Sequence, residues 1–292
     1  MPLQPLSDGT RLHIETTGAG VPTLVPCIAS SIPYEVSFGD ELKKDFEFIF
    51  VEVRGTARSE GRKDVSSLDR ISDDLEDLRQ QLGLDQVIAL GQSRNGMMAA
   101  HFAHKYPGSV ARTVTIGTPV TLGPHHVLVE SYWDAVADDE RKRLRAENEA
   151  TMEREGILVN PTGVNRSSGD AIVRWFDLEG PRLWYDPRTT MTHWWDASLL
   201  NPATLGQTGE GWAGFDMAQA MRETPVPAFV AFGKYDFHVP PAPELFEGNP
   251  NVRVEVFDKS GHFPYCEEPE EFASRYRDWV GSLEGHTVGA ST

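Results

Sequence analysis

The sequence predicts an α/β fold, a mostly parallel, doubly wound sheet with one helical insertion. Three observations predict it. Short apolar runs alternate with amphipathic stretches as far as Thr118, the rhythm of strand–helix–strand units. From Pro119 to about Glu223 that rhythm stops and the chain reads as helices and loops. At Pro225 it resumes, with two more strands and a closing helix. The expected division is a core of residues 1–118 and 224–292 and a helical cap at 119–223.

Taken in order, Arg11 to Thr17 alternates and meets Gly18-Ala19-Gly20, which predicts a strand of an opening hairpin. Pro22 to Ile28 is a nearly continuous apolar run, as expected of a strand buried on both faces. A short helix is expected between Phe38 and Lys44, then a buried strand from Phe46 to Val53. Leu68, Ile71, Leu75, Leu78 and Leu82 form an i, i+3/i+4 stripe closed by Gly83, a surface helix packed on the sheet. Gln86 to Leu90 is a strand, Asn95 to Tyr106 a helix and Val110 to Thr118 a strand. The insertion holds a charged segment (Asp138 to Arg154), a loop-like stretch (Asn160 to Gly169) and an aromatic cluster of Trp175, Phe176, Trp184, Tyr185, Trp194, Trp195 and Trp212. Pro225 to Phe232 and Val252 to Phe257 are strands, Pro269 to Leu283 closes the core as a helix, and Glu284 to Thr292 reads as a frayed tail.

Composition narrows the function. The chain has 292 residues, 39% hydrophobic and 24% charged, enough for one large soluble α/β domain with an insertion. A formal net charge of −17 repels phosphate backbones and anionic membranes, so neither nucleic acid nor a membrane is an expected partner. Met1-Pro2-Leu3-Gln4-Pro5 lacks a basic start and an apolar core, so no secretory signal is read, and no apolar run reaches membrane-spanning length. With only Cys27 and Cys266, no disulfide framework is available and a reducing, cytoplasmic setting is expected. The expected partner is a small-molecule substrate; a homo-oligomer is left open.

Val87-Ile88-Ala89-Leu90-Gly91-Gln92-Ser93-Arg94-Asn95-Gly96 reads as strand, tight turn and helix start. A serine on such a turn projects its hydroxyl away from both elements, and the N–H after it lies at a helix N-terminus, where partial positive charge stabilises an oxyanion. Asp236 and His262 follow at the ends of two later strands. In an open parallel sheet, the C-terminal strand ends line one crevice, so the three side chains are expected to converge there. The serine hydroxyl is a poor nucleophile until a base takes its proton; His262 is that base, and Asp236 orients the imidazole. Singly, each residue has an ordinary reading as a turn, capping or core residue; the joint pattern carries the case.

Gly91-Gln92-Ser93-Arg94-Asn95, the order Ser, Asp, His, and the loops Gly233-Lys234-Tyr235-Asp236 and Ser260-Gly261-His262-Phe263-Pro264 resemble those of the α/β-hydrolases. Val53-Arg54-Gly55-Thr56-Ala57-Arg58-Ser59 is similar to the R-G-x-G-x-S turn of the proline iminopeptidase-like branch, as is a cap inserted after Thr118. The resemblance covers nearly the whole chain. It implies a cofactor-free serine hydrolase acting through an acyl-enzyme on an ester, lactone or amide of a small, apolar group.

Two departures matter. Where that branch has H-G-G-P-G, this chain has Pro26-Cys27-Ile28-Ala29-Ser30, so the oxyanion donors expected are the backbone N–H groups of Ile28 (or Cys27) and Arg94. Losing one such donor costs about 3–4 kcal/mol of transition-state stabilisation. Asn95 stands where glycine is usual; it is read as filling the gap beside the strand, with an amide turned into the site as the alternative.

Cys27, Asn95, Trp184, Trp194 and His238 are candidate substrate contacts. An aminopeptidase needs carboxylates for the substrate amine, for which the cap offers Glu147, Glu149, Glu153, Glu155 and Glu179, but such a run is usually a solvated face. His125-His126 has no second ligand pair, so no metal is expected. No cofactor motif is present. A different class of function stays in view: a fold member that binds a small molecule or directs a non-hydrolytic step, favoured if the Ile28 N–H faces away from Ser93 or meets a carbonyl. A cap presented to a protein partner is a third.

Overall fold

The computed structural model describes residues 3–61, 67–122, 125–160, 163–164, 168–201 and 212–287. Residues 202–211 of the expected cap, most of the Asn160–Gly169 loop, the His125 and His126 side chains and the last residues of the tail lie outside the described residues.

The centre is a sheet of seven described strands: β1 (Ile14–Gly18), β2 (Val21–Cys27), β3 (Phe46–Glu52), β4 (Val87–Gln92), β5 (Val110–Ile116), β6 (Ala228–Gly233) and β7 (Val252–Phe257). Their order is β7-β6-β5-β4-β2-β3-β1, parallel except for β1. The central strands are buried on both faces, so they read as unbroken apolar runs. In β3, Phe46, Phe48 and Phe50 join the core on one face with Phe229, Phe257, Phe272 and Tyr276, while Ile49 and Val51 join the other with α2 (Leu68–Gln81) and α3 (Arg94–Lys105). Ser67 caps α2 by accepting the Arg70 N–H, and Gly83, at φ +67°, ends it as expected.

The opening hairpin is small: Arg11–Leu12 pairs antiparallel with Gln4–Pro5, and the rest of the expected strand is β1. β1 pairs antiparallel with β3, not with β2. Gly18 and Gly20 make this possible, because a methyl group on Gly18 would strike the Phe46 carbonyl and one on Gly20 the backbone of Asp45 and Phe46. The short helix expected at 38–44 is one 3₁₀ turn, Leu42–Lys44, and a helix not foreseen, α1 (Ile32–Ser37), precedes it with Pro33 in its first turn.

β5 and β6 are sheet neighbours, yet over a hundred residues separate them in sequence. That segment contains α4 (His125–Val136), α5 (Asp139–Arg154), α6 (Gly169–Leu178) and α7 (Gly180–Leu183), followed by α8 (Met217–Glu223). Arg141 of α5 is 3% exposed and donates to the carbonyls of Pro181, Trp184 and Tyr185 while lying over the Phe237 ring, which ties the insertion to the loop after β6. The chain closes with α9 (Pro264–Glu267) and α10 (Pro269–Thr287). Among the described residues, no helix is long and apolar enough to cross a membrane.

Ala57, in the Arg54–Ser59 turn where the resembling motif has glycine, sits at φ +41°. A left-handed backbone costs an L-residue about 1–2 kcal/mol, and glycine's extra freedom in the unfolded chain returns only part of that. Ala57→Gly is therefore expected to raise the unfolding free energy by about 0.5–1 kcal/mol, read as a higher urea midpoint with unchanged slope.

Candidate active site

Ser93 occupies the turn between β4 and α3 at φ +56°, ψ −137°. An L-residue adopts this conformation only where its surroundings impose it. Ser93 N–H donates to Ile116 O at 2.8 Å, and Gly96 N–H donates to Ser93 O at 3.0 Å. Gly91 is required because any side chain there would collide with the Asn95 backbone. At Gly96 a methyl group would run into Thr118, so the close approach of helix to sheet falls one residue later than the G-x-S-x-G pattern places it. That is how the chain accommodates Asn95.

Asp236, on the turn after β6, is fully buried. Its Oδ1 accepts the N–H groups of His238 (2.9 Å) and Val239 (2.7 Å), which leaves Oδ2 to pair with His262 Nδ1 at 2.7 Å. Because the carboxylate is an acceptor, Nδ1 carries the proton and Nε2 of the neutral ring is the basic nitrogen. His262 is held at its backbone as well: its N–H donates to Leu183 O (2.6 Å) and its carbonyl accepts Gln92 Nε2 (3.1 Å). Gly117, at φ +51°, lies beneath the pair; a methyl there would sit 3.0 Å from His262 Nδ1 and 3.2 Å from Asp236 Oδ2. Ser93 and His262 line the same two cavities.

A sequence model of the α/β-hydrolase fold family matches residues 23–269. The chain belongs to this family. It is 30% identical over 281 residues to the AB hydrolase superfamily protein YclE of Bacillus subtilis (strain 168), covering 94% of this chain and 96% of that protein. It is similar too to a proline iminopeptidase of Heyndrickxia coagulans, 26% identical over 254 residues, 83% of this chain and 84% of the relative. Among solved structures, an esterase from Exiguobacterium antarcticum superposes with TM-score 0.63 at 19% identity, covering 96% of this chain and 98% of its own, a likeness of fold.

In this α/β-hydrolase the turn after β2 differs from its expected use. The Ile28 N–H, expected as an oxyanion donor, meets a carbonyl: Asn95 Oδ1 accepts it at 3.3 Å. Asn95 Nδ2 donates to the Tyr34 hydroxyl at 2.6 Å. One residue on, Ala29 N–H has no hydrogen-bond partner among the described residues, and Ala29 lines a cavity with Ser93, Arg94 and His262. Ser30 N–H is likewise without a partner among the described residues, so the Ile28 amide, already satisfied by a side chain, is not the one this turn leaves available.

Two cavities meet at Ser93, Arg94, Phe176 and His262. One, of about 90 Å³, runs along the β2 turn under Tyr34, Trp194 and Trp195. The other, of about 230 Å³, extends toward Trp175, His238 and Val239. Trp194 and His238 thus reach the site, and Asn95 borders it. Cys27 does not: it is fully buried in the core, its thiol pushed well up in pKa by burial and bonded to Val25 O. Trp184 does not line either cavity; it stacks on Phe263 at 4.5 Å and packs into the core. No described residue lining either cavity is a carboxylate. Glu147, Glu149, Glu155 and Glu179 are paired with arginines, and Glu153 is exposed. Among the described residues, no cluster is placed to hold a metal ion.

Phe176, Tyr34, Gly117 and Glu267 were missed by sequence reasoning. Phe176 was visible only as one of several cap aromatics, and nothing local marks the other three. Glu267 fastens the histidine loop to the insertion: one carboxylate oxygen accepts Gly261 N–H and the other Tyr185 N–H, both at 2.7 Å. Burial pushes its pKa up from 4.5 to about 7, against the pull of these N–H groups, and the Asp236 charge adds to the rise. The folded state therefore binds this proton more tightly than the unfolded chain. Its contribution to stability is fully present below about pH 4.5 and lost as pH rises through 7. In Glu267→Gln, urea unfolding across that window is expected to show a smaller fall of stability with rising pH than in the native protein.

Proposed function

We propose that the protein is a serine hydrolase that cleaves esters of small, apolar acyl groups through an acyl-enzyme on Ser93. Membership of the family supports hydrolase chemistry of the esterase or peptidase kind. The observation that carries the finer reading is the Asp236–His262 pair, bonded through Nδ1, at a crevice that His262 shares with a serine on a strained elbow.

In the first step His262 Nε2 takes the Ser93 proton as Oγ attacks the substrate carbonyl, and the C=O electrons move onto the oxygen. The N–H groups of Arg94 and Ala29 hold that oxyanion. Collapse expels the alkoxide, which leaves with the proton from His262. Water then repeats the sequence against the acyl-enzyme, and Ser93 and the carboxylic acid separate. Asp236 stays ionised throughout and steadies the imidazolium.

Two features favour an ester over an aminoacyl amide. Among the described residues the cavity walls offer no carboxylate for a free amine, and of the five cap glutamates considered for that role four are paired with arginines and the fifth, Glu153, is exposed and lines neither cavity. The cavity on the β2 side is small, about 90 Å³, room for a short acyl chain. A panel of p-nitrophenyl esters, lactones and aminoacyl anilides tests this. Acetyl and butyryl esters are expected to turn over faster than octanoyl esters, with proline anilide untouched. Preferred cleavage of the anilide would overturn the substrate assignment.

A second reading, a fold member that binds a small ligand without hydrolysis, is favoured by the engaged Ile28 N–H. It requires that no member of the panel be turned over, with ligand affinity the same in the native protein and in Ser93→Ala.

A further inference from the structure

We propose that Asn95 is a positioning residue for the oxyanion turn, doing with a side chain what glycines do elsewhere; this rests on the reading of Ser93 as nucleophile. The turn Cys27-Ile28-Ala29-Ser30-Ser31 contains no glycine, so its conformation must be imposed from outside. The structure places a clamp at each end. At the first, Asn95 Oδ1 accepts the Ile28 N–H at 3.3 Å; since an amide N–H can only donate, this fixes which way the Asn95 carboxamide faces. Its Nδ2 is in turn held by the Tyr34 hydroxyl at 2.6 Å. At the other end, Glu52, fully buried and paired with Arg58, accepts the Ser31 N–H at 3.1 Å.

Asn95 is 2% exposed and belongs to the first turn of α3, the helix whose N-cap is Ser93. It therefore registers the β2 turn directly against the nucleophile's own element. With Ile28 and Ser31 held, the amides of this turn that remain without a hydrogen-bond partner among the described residues are those of Ala29 and Ser30, both lining the cavity at Ser93, and Ala29 is the nearer to the Asn95 clamp in sequence. Removing the clamp frees the turn to wander by fractions of an ångström, which degrades a hydrogen bond made chiefly in the transition state and leaves ground-state binding intact.

The test compares steady-state hydrolysis of p-nitrophenyl acetate by the native protein, Asn95→Ala, Asn95→Asp and Tyr34→Phe. Each is also titrated with a short alkyl boronic acid, which mimics the tetrahedral intermediate, and with the product carboxylic acid. Asn95→Ala is expected to lower kcat by about 10- to 100-fold with KM within about threefold. Boronate affinity should fall in step while product affinity holds. Asn95→Asp keeps the acceptor for Ile28 and should recover most of the loss. Tyr34→Phe, which leaves Asn95 in place but unanchored, should show the same split at smaller size. If Asn95→Ala fails to fold, the ordering of the other two decides. Native kcat in Asn95→Ala, or losses in all three variants that fall on KM and product affinity, would overturn the clamp while leaving Ser93 as nucleophile. A native protein that hydrolyses nothing overturns the underlying reading instead.

Discussion

Replacing Ser93 by alanine is expected to lower kcat on the best ester by about 10⁵-fold or more, the size seen when a triad nucleophile is removed, with circular dichroism unchanged. The fold should tolerate the change. The Ser93 hydroxyl makes no capping hydrogen bond to α3, and alanine keeps the Cβ already accommodated at φ +56°. The methyl group neither forms an acyl-enzyme nor exchanges a proton with His262, so what remains is catalysis by the oxyanion donors and by binding alone. Substrate KM should move little, because the lost oxygen matters in the covalent step.

The second large effect is expected for Asp236→Asn, a fall in kcat of about 10⁴-fold. The reason lies in how the carboxylate is held. The N–H groups of His238 and Val239 both point at Oδ1, so an asparagine here must place its carbonyl oxygen on them and its NH₂ toward His262. The amide donates to Nδ1, the imidazole proton moves to Nε2, and the base facing Ser93 becomes a donor with no lone pair to offer. Measuring kcat together with the thermal midpoint separates this from unfolding. A loss of rate with a nearly native midpoint is expected, whereas Asp236→Ala should lose stability too, since it strands two buried loop amides.

These two residues and His262 were legible in the sequence because each follows an apolar strand, and a parallel sheet delivers the ends of its strands to one edge whatever the loops do. The strand at Val252–Phe257 and the α2 stripe were legible for a similar reason, since burial on a fixed element writes a period into the residues. What was not legible depends on contacts across long sequence separations. That β1 joins β3 follows from two glycines packing against Asp45 and Phe46, a fact about shape rather than period. That the Ile28 amide is engaged follows from a side chain 67 residues away taking it up. Asn95 looked like a defect in a motif. Its compensation, Gly96 against Thr118, lies one position outside the pentapeptide where the motif looks for it. Cys27 was read as a candidate for its place beside the β2 turn and Trp184 as one of the cap's tryptophans, and both side chains went to the core instead.

The most direct measurement is intact-protein and peptide mass spectrometry after brief exposure of the folded protein to a fluorophosphonate. One adduct per chain on the peptide carrying Ser93 is expected, absent from Ser93→Ala and slowed in Asp236→Asn. No adduct, or one that persists in Ser93→Ala, would contradict the assignment of that hydroxyl as the nucleophile.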